Sequence, residues 1–243
     1  MSSEESFAPP TVSVVIPARN ERHLVPGALR SVIMQHYPTH LLQCVVVDNG
    51  SVDGTADAAS HFVRKHPDLN VQLVYEATPG VGRAKNTGAA LASGDILIFM
   101  DADSCMACNL VCEVVKQAAA GWPAGSIRVT ADGGDVLDWA FFSLMEFGKV
   151  AFGVRGQMMY CRRELFNQVG GFNPNMYLAE DLDFLRRTTA VLGGGRGRLS
   201  HVRTGSIATS PRRLHGGRFR SGLLRMFERW FLAFLGFGRH RPY

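Results

Sequence analysis

Two carboxylates separated by one residue are the feature of this sequence that most directly suggests chemistry. Asp101 and Asp103 follow residues 96–100, ILIFM, an apolar run with the composition of a buried β-strand. Carboxylates at a strand tip offer oxygen ligands to a hard divalent cation, which keeps positions for water and is commonly shared with substrate phosphates. The spacing therefore predicts a Mg²⁺ or Mn²⁺ site that would bridge a diphosphate.

Two earlier apolar runs also end in polar residues. Residues 12–18, VSVVIPA, precede Asn20 and Glu21, and residues 41–47, LLQCVVV, precede Asp48. Each polar tip could by itself be a helix cap, because Asn, Asp and Ser side chains satisfy the free N–H groups at helix starts. Three such tips, however, are better explained by one shared site.

The elements that would position these tips alternate along the chain. Apolar runs predict strands at residues 12–18, 41–50, 71–77 and 95–103, and the segments between them predict helices at 21–35, 56–63 and 82–93. Runs this apolar suit parallel strands that are covered on both faces and joined by right-handed crossovers. The sequence thus predicts an α/β fold with an open, mostly parallel, Rossmann-like sheet flanked by helices. Ligands bind such sheets at the carboxyl ends of the strands.

Composition and charge narrow the class of protein. With 46% hydrophobic and 19% charged residues, the chain is typical of a globular protein with one large domain. Residues 1–11 carry acids where a secretion signal would carry bases, and we expect them to be disordered. Residues 212–243 hold eight arginines and a single acid. The body of the chain has no basic stripe, so nucleic acid is not an expected partner.

The five cysteines favour a reduced, cytoplasmic setting. Three of them, Cys105, Cys108 and Cys112, are close enough in sequence to be taken for a zinc or iron–sulfur site. We expect them instead to enter the helix after the acidic tip, where Cys108 and Cys112 would share one face. Buried there, they would act as small apolar side chains.

Other α/β families use similar parts. A dinucleotide-binding domain also places an acid after its second strand, but it needs a glycine-rich turn after the first, where this chain has PARNERH. A P-loop sequence does not occur. An aspartyl phosphatase normally carries its D-x-D on the first strand, whereas here the motif follows the fourth.

Four segments, in order along the chain, resemble a further α/β family. They are VSVVIPARNE, DNGSVDGT, GVGRAKNTGAALASGDILIFMDAD and RGQMMYCRRELFNQVGGFNPNMYLAEDLDFLRR. The set resembles the family 2 glycosyltransferases of the GT-A fold, which move a sugar from a nucleotide diphosphate to an acceptor; Asn49 stands where that family usually has a second Asp. The resemblance implies a GT-A domain over residues 12–213 with an acceptor-side subregion, followed by a basic C-terminal extension, residues 214–243.

The resemblance, with charge and position, also implies a donor site. The nucleotide would be held by Pro17, Ala18, Asn20, Glu21, Asp48 and Asp101, the diphosphate by Arg83, Lys85, Arg212 and Arg213, and the metal by Asp103, with His215 as a further candidate ligand. A metal there would act as a Lewis acid and neutralise charge on the departing nucleotide diphosphate.

The acceptor hydroxyl needs a base. In AEDLDF, the family pattern points to Asp181 as that base, with Glu180 beside it to orient an acceptor or a neighbour. Two acids in the first turn of a helix would also be explained by the helix dipole. A base placed in this way implies one direct displacement, with inversion at the anomeric carbon.

The predicted function is therefore an inverting, metal-dependent glycosyltransferase. A UDP-sugar is the expected donor and GDP-mannose stays open, as do a small metabolite, a glycan and a lipid carrier as acceptor. One alternative is a sugar-phosphate nucleotidyltransferase, although its signature loop after the first strand is missing. The other is a non-catalytic nucleotide-sugar or glycan-binding module, against which the presence of both Asp103 and Asp181 argues.

The C-terminal extension predicts an amphipathic helix within residues 218–241. Its apolar side would consist of Leu223, Phe227, Trp230, Phe231, Phe234 and Leu235. The apolar run is too short and too charged to span a bilayer. Docking on the domain, contact with the anionic inner face of a membrane and a homo-oligomer interface all stay open.

Overall fold

The computed structural model describes residues 8–152, 156–176, 179–193 and 199–215. The strands are β1 Val12–Ala18, β2 Leu42–Asp48, β3 Val71–Tyr75, β4 Ile96–Phe99, β5 Ser104–Met106, β6 Ala124–Ala131, β7 Met159–Arg162 and β8 Ser200–Thr209. The helices are α1 Val25–Ile33, α2 Thr55–Lys65, α3 Val81–Leu91, α4 Leu110–Ala119, α5 Val136–Phe152, α6 Arg163–Val169 and α7 Glu180–Val191, with short 3-10 helices at Thr39–Leu41 and Pro211–Leu214. None of the helices in these residues has the length and hydropathy that crossing a membrane requires.

The first half of the sheet is parallel. Strands β3, β2, β1 and β4 lie side by side in that order and all run in the same direction. Every residue of β1 and β4 is buried, because both strands are covered on both faces, whereas β3 alternates between partly buried and exposed residues. The predicted α/β sheet is confirmed, and the four predicted strands and three predicted helices agree with the structure to within four residues at each end.

The second half of the sheet is mixed. Strand β7 runs antiparallel to β4 and β6, while β6 is parallel to β8, which pairs in turn with the short antiparallel β5. The full order in the described residues is β3-β2-β1-β4-β7-β6-β8-β5. Strand β5 therefore returns to the far edge of the sheet directly after the acidic tip of β4.

Two cores cover the two faces of the sheet. One contains residues of α1, α2, α4 and α5, including Leu29, Leu110 and Phe141. The other contains residues of α3, α6 and α7, including the aromatic side chains Phe166 and Phe184. Helices α5 and α7 thus lie on opposite faces of the sheet.

Helix α3 lies unusually close to the sheet. A Cβ atom on Gly88 would lie 2.4 Å from Cγ1 of Val15 and 3.0 Å from Cγ2 of Val47, so any larger residue would push the helix away. This contact holds α3, whose N-terminal half carries Lys85, against β1 and β2.

The prediction for the three clustered cysteines is wrong in part. Cys105 lies in β5, and Cys108 is exposed because α4 begins only at Leu110. Cys112 is partly buried and donates from Sγ to the carbonyl of His36 at 2.8 Å. All five cysteines of the chain are free thiols.

Candidate active site

The turns after β1 and β2 are tied to each other. The backbone N–H of Asn20 donates to Oγ of Ser51 (3.0 Å), and Oδ1 of Asn20 accepts from the N–H of Val52 (3.0 Å). Oδ1 of Asp48 accepts from the N–H of Ser51 (3.2 Å). Asn20 caps no helix, because α1 begins four residues beyond Glu21, and its left-handed φ of 56° belongs to this turn. These polar tips therefore join two strands, as a shared site requires.

The carboxyl end of β1 is buried beneath these turns. Pro17 and Ala18 have little or no exposed surface, and the carbonyl of Ala18 accepts from the N–H of Asn49 (2.8 Å). The backbone N–H of Glu21 donates to Oγ1 of Thr55 (2.8 Å), which fixes the buried Glu21 against the start of α2. The residues after β1 and β2 therefore form one hydrogen-bonded wall at the carboxyl ends of these strands.

Arg212 connects this wall to the acidic tip of β4. Its Nη2 donates to Oε1 of Glu21 and lies 3.7 Å from Oδ2 of Asp103. The backbone carbonyl of Asp103 accepts from the N–H of Ser210 (3.0 Å), so the end of β8 is fixed beside the same tip. The side chain of Arg213 and residues 216–243 lie outside the described part of the chain.

The surroundings of Asp103 fit a shared cation. Its carboxylate is almost completely buried, and the guanidinium of Arg212 lies against it. The space beside this carboxylate therefore favours a positive charge. Within the described residues, no three His, Cys, Asp or Glu side chains gather as a complete metal site. A Mg²⁺ or Mn²⁺ ion shared with a diphosphate needs only one or two protein carboxylates.

His215 has a different partner from the one its candidate role requires. Its Nε2 lies 2.8 Å from Oδ2 of Asp138, at the start of α5. Asp138 is fully buried and also accepts from the N–H of Asp135 (2.9 Å). Arg83, in the first turn of α3, lies near Glu76. The pKa of the Glu76 carboxyl is lowered mainly by hydrogen bonds from Thr87 and Thr78, and to a smaller extent by the charge of Arg83.

Lys85 is the centre of the charged cluster at the acceptor side. Its buried Nζ donates to Oε1 of Glu180 (2.7 Å) and lies 5.1 Å from the ring centroid of Phe172. Burial by itself lowers the pKa of an ammonium, but here the carboxylates of Glu180, Asp101 and Asp181 outweigh it and raise the pKa of Lys85. The ammonium therefore stays charged and links the acidic tip of β4 to the start of α7.

Asp181 is held in place by two backbone donors. The N–H of Leu182 donates to its Oδ1 (2.9 Å) and the N–H of Gln157 to its Oδ2. Gln157 has a left-handed φ of 71°, and a Cβ on the preceding Gly156 would lie 2.6 Å from Cδ2 of Leu182. The loop before β7 thus packs directly against the first turn of α7.

The surroundings of Asp181 raise the pKa of its carboxyl group. Withdrawal from water, and then the charge of Glu180, raise the pKa of Asp181 to about 6, although Lys85 and the two N–H donors act in the opposite direction. A carboxylate with a pKa near neutrality holds a proton more strongly than an ordinary one and can take it from a hydroxyl. Asp183, two residues further along α7, pairs instead with Arg187 (2.7 Å).

A second buried charge network was not predicted. Nζ of Lys149 lies 2.6 Å from Oε1 of Glu146, whose Oε2 is 3.2 Å from Nε2 of His201; Nδ1 of His201 is 2.9 Å from Oγ of Ser126. Burial lowers the pKa of Lys149, while Glu146 and then Asp181 act to raise it, so this network extends to the predicted base. A signal was present in the sequence: the ionisable residues of α5 are spaced to share one helical face.

A sequence profile of Glycosyl transferase family 2 matches residues 13–170, well over half of the chain. The chain belongs to glycosyl transferase family 2. Among curated relatives, the Haloferax volcanii glycosyltransferase AglE is 40% identical over 94 residues, 39% of this chain and 31% of that protein. The probable glycosyltransferase YdaM of Bacillus subtilis is 29% identical over 196 residues, 73% of this chain and 46% of that protein. The chain thus matches less than half the length of either relative.

Solved structures share the fold of this family 2 chain. The Pyrobaculum calidifontis mannosyltransferase PcManGT, in complex with GDP-Man and Mn²⁺, superposes with a TM-score of 0.70 at 24% identity, covering 97% of this chain and 67% of that one. The S. aureus TarS 1-349 complex with UDP gives 0.64 at 21% identity, covering 83% and 61%. The predicted GT-A fold is confirmed.

Proposed function

We propose that this family 2 chain transfers a sugar from a nucleotide diphosphate to an acceptor hydroxyl, with a divalent metal and with inversion. The observation that carries the proposal is the position of Asp181. Its carboxylate, with a pKa raised to about 6, lies within the electrostatic reach of Lys85, which also interacts with Asp101. One cluster thus joins a base to the acidic tip of β4.

The leaving-group half of the reaction belongs to the tips of β1 and β4. Asp103 would hold the metal, which when bound supplies Lewis acidity toward the diphosphate. Arg212, close to both Asp103 and Glu21, is placed to bind the same diphosphate once its own carboxylate contacts are exchanged. The Mn²⁺ in the PcManGT complex supports metal dependence.

The acceptor half belongs to α7. Asp181 would accept the proton of the acceptor hydroxyl as the hydroxyl oxygen attacks the anomeric carbon, while Glu180 is held beside it by the hydrogen bond from Lys85. Because the base activates the incoming hydroxyl directly, the acceptor oxygen bonds to the anomeric carbon as the bond to the nucleoside diphosphate breaks. This single displacement inverts the configuration of that carbon. No covalent sugar intermediate is needed.

The donor we propose is a UDP-sugar. Asp48 can accept from the imide N–H of uracil, but it could also accept from the N1–H of guanine, so this residue alone does not choose the base. The UDP in the TarS complex supports a UDP-sugar as donor. The GDP-Man in the PcManGT complex supports GDP-mannose as the second candidate.

The test is donor turnover with water in place of the acceptor. The chain is incubated with UDP-sugars or GDP-mannose, with Mn²⁺ or with EDTA, and the nucleotide products are separated by chromatography. We expect metal-dependent release of the nucleoside diphosphate and, by NMR, a sugar of inverted configuration. Asp181→Asn should keep donor binding in a thermal-shift assay but lower turnover by about 10²–10⁴-fold.

Asp183→Asn is the matched control, because it removes a carboxylate from the same helix that points away from the cluster. Its turnover should stay near that of the unmodified chain. Release of pyrophosphate would indicate a nucleotidyltransferase, and donor binding without turnover a binding module. Undiminished turnover in EDTA would exclude the metal, and a retained configuration would exclude the single displacement.

A further inference from the structure

Helix α5 presents an apolar face to the outside of the molecule. Its large exposed side chains are Val136, Leu137, Trp139, Leu144, Phe147 and Val150, of which Val136 and Phe147 are 82% and 65% exposed. At 3.6 residues per turn these six cover an arc of roughly 160° around the helix. Between Val136 and Val150, Ala140 and Ser143 are the other residues in this arc, so no ionisable side chain interrupts the face.

The charged residues of α5 turn inward instead. Asp138 and Lys149 are buried, and Glu146 is nearly so; Glu146 accepts from Lys149 (2.6 Å) and from the N–H of Val129 (3.1 Å). A helix on a surface exposed only to water normally has the opposite polarity, with its charges outside. The outer face of α5 is therefore built for an apolar environment.

Two exposed apolar side chains elsewhere in the described residues are different in kind. Met34, at the end of α1, and Val191, at the end of α7, are exposed singly on separate elements. Isolated side chains of this sort are normal on soluble proteins, whereas a contiguous patch marks an interaction surface.

A basic segment follows the described residues, which end close to the start of α5. The contact of His215 with Asp138 (2.8 Å) places the chain at the first turn of α5, and residues 216–243 follow with six arginines against Glu228, a net charge of +5. We propose that the outer face of α5, together with this basic segment, binds the surface of an anionic phospholipid bilayer.

A bilayer accounts for both features at once. Apolar side chains of a surface helix enter the boundary between headgroups and acyl chains, and each nearby Arg adds about 1 kcal/mol of attraction to anionic lipids. A second copy of the chain would cover the apolar face but would bring two segments of charge +5 together. Coverage by residues 216–243 themselves would satisfy the apolar side chains and leave the arginines without a partner of opposite charge.

The experiment is vesicle flotation of the full chain, with phosphatidylcholine alone or with about 30% phosphatidylglycerol. We expect the chain to float with the anionic vesicles and to be released as NaCl rises to about 0.5 M. The double variant Leu144→Gln and Phe147→Gln should lower the fraction bound by about tenfold or more. The matched control Met34→Gln and Val191→Gln makes the same chemical change at isolated sites and should leave binding unchanged.

Three outcomes would overturn the proposal. In the first, the chain does not float, or floats equally without anionic lipid. In the second, the α5 pair binds as well as the control pair. In the third, the face has another occupant. A dimer in sedimentation velocity that the α5 pair abolishes would assign the face to a second copy. A Tm that the α5 pair lowers much more than the control pair, with flotation unchanged, would assign it to residues 216–243. None of these measurements depends on glycosyl transfer.

Discussion

At the scale of single residues, the acceptor side of the site depends on how one ammonium is shared among three carboxylates. Lys85 donates its short hydrogen bond to Glu180 rather than to Asp181, and its interaction with Asp101 draws it toward the donor side. Glu180 is therefore the residue that keeps Asp181 basic, because it adds negative charge next to that carboxylate and occupies the ammonium that would otherwise neutralise it.

This arrangement predicts a pH effect for Glu180→Gln. Turnover should rise with pH through the pKa of Asp181, about 6, because the base must be deprotonated. Removing the Glu180 charge lowers that pKa, so the acid limb of the kcat profile should move to lower pH while the maximum rate falls. The profile is measured by nucleoside diphosphate release between pH 4 and 8. Asp183→Asn should leave the limb in place, and an unmoved limb in Glu180→Gln would contradict this account.

At the scale of elements, the position of Lys85 depends on how closely α3 packs on β1 and β2. The approach exists because residue 88 has no side chain, and the helix begins at the Gly80 turn, where a φ of 150° is available to glycine alone among common residues. The first turn of α3 is thereby held at the ligand-binding edge of the sheet.

We expect Gly88→Ala to destabilise the fold by about 1–3 kcal/mol, the usual cost of overpacking, in spite of the better helix propensity of alanine. The added Cβ would lie 2.4 Å from Cγ1 of Val15, so either α3 or the buried strand β1 would have to move. Urea unfolding measures the effect. Gly148→Ala in α5 is the matched control, because nothing lies within 4 Å of its added Cβ, and it should be neutral or stabilising by up to about 1 kcal/mol. Equal effects at the two positions would contradict the close-packing argument.

At the scale of the whole molecule, residues near the two ends of the described chain meet over the donor site. Arg212 follows the last strand, yet its guanidinium contacts Glu21, after the first strand, and approaches Asp103 in the middle of the sequence. The parallel half of the sheet supplies the acidic tips, and the mixed half returns β8 and its basic end to them.

Arg212 also predicts how the site should bind metal before the donor arrives. Its positive charge lies where a divalent ion shared with Asp103 would be repelled, so Arg212→Gln should raise the affinity of the nucleotide-free chain for Mn²⁺. The contact is partly exposed, and a contribution of ~1 kcal/mol corresponds to about fivefold in Kd. Electron paramagnetic resonance of free Mn²⁺ measures this affinity. Arg212→Lys keeps the charge and should change it little, whereas equal affinities for all three proteins would remove Arg212 from the site.

Much of the parallel half was predictable because its information is local. The runs at residues 12–18, 41–47 and 96–100 are apolar apart from Ser13 and Gln43, as buried strands require. The amphipathic segments between the strands define the helices. The mixed half was not predicted, since β5, β6, β7 and β8 pair over long separations and β5 has only three residues. Cys108 was misplaced for a related reason: nothing local to it indicated that a strand would precede α4.

The sequence by itself therefore determined the family, the parallel sheet, and the acidic tips where donor chemistry is proposed, because hydrophobic periodicity and short motifs are local properties of the chain. Only the tertiary structure decided that Lys85 pairs with Glu180, that Arg212 reaches Glu21, and that α5 turns its charges inward and its apolar side chains outward. These contacts join residues up to 191 positions apart, and they depend on which groups the packed helices and strands withdraw from water.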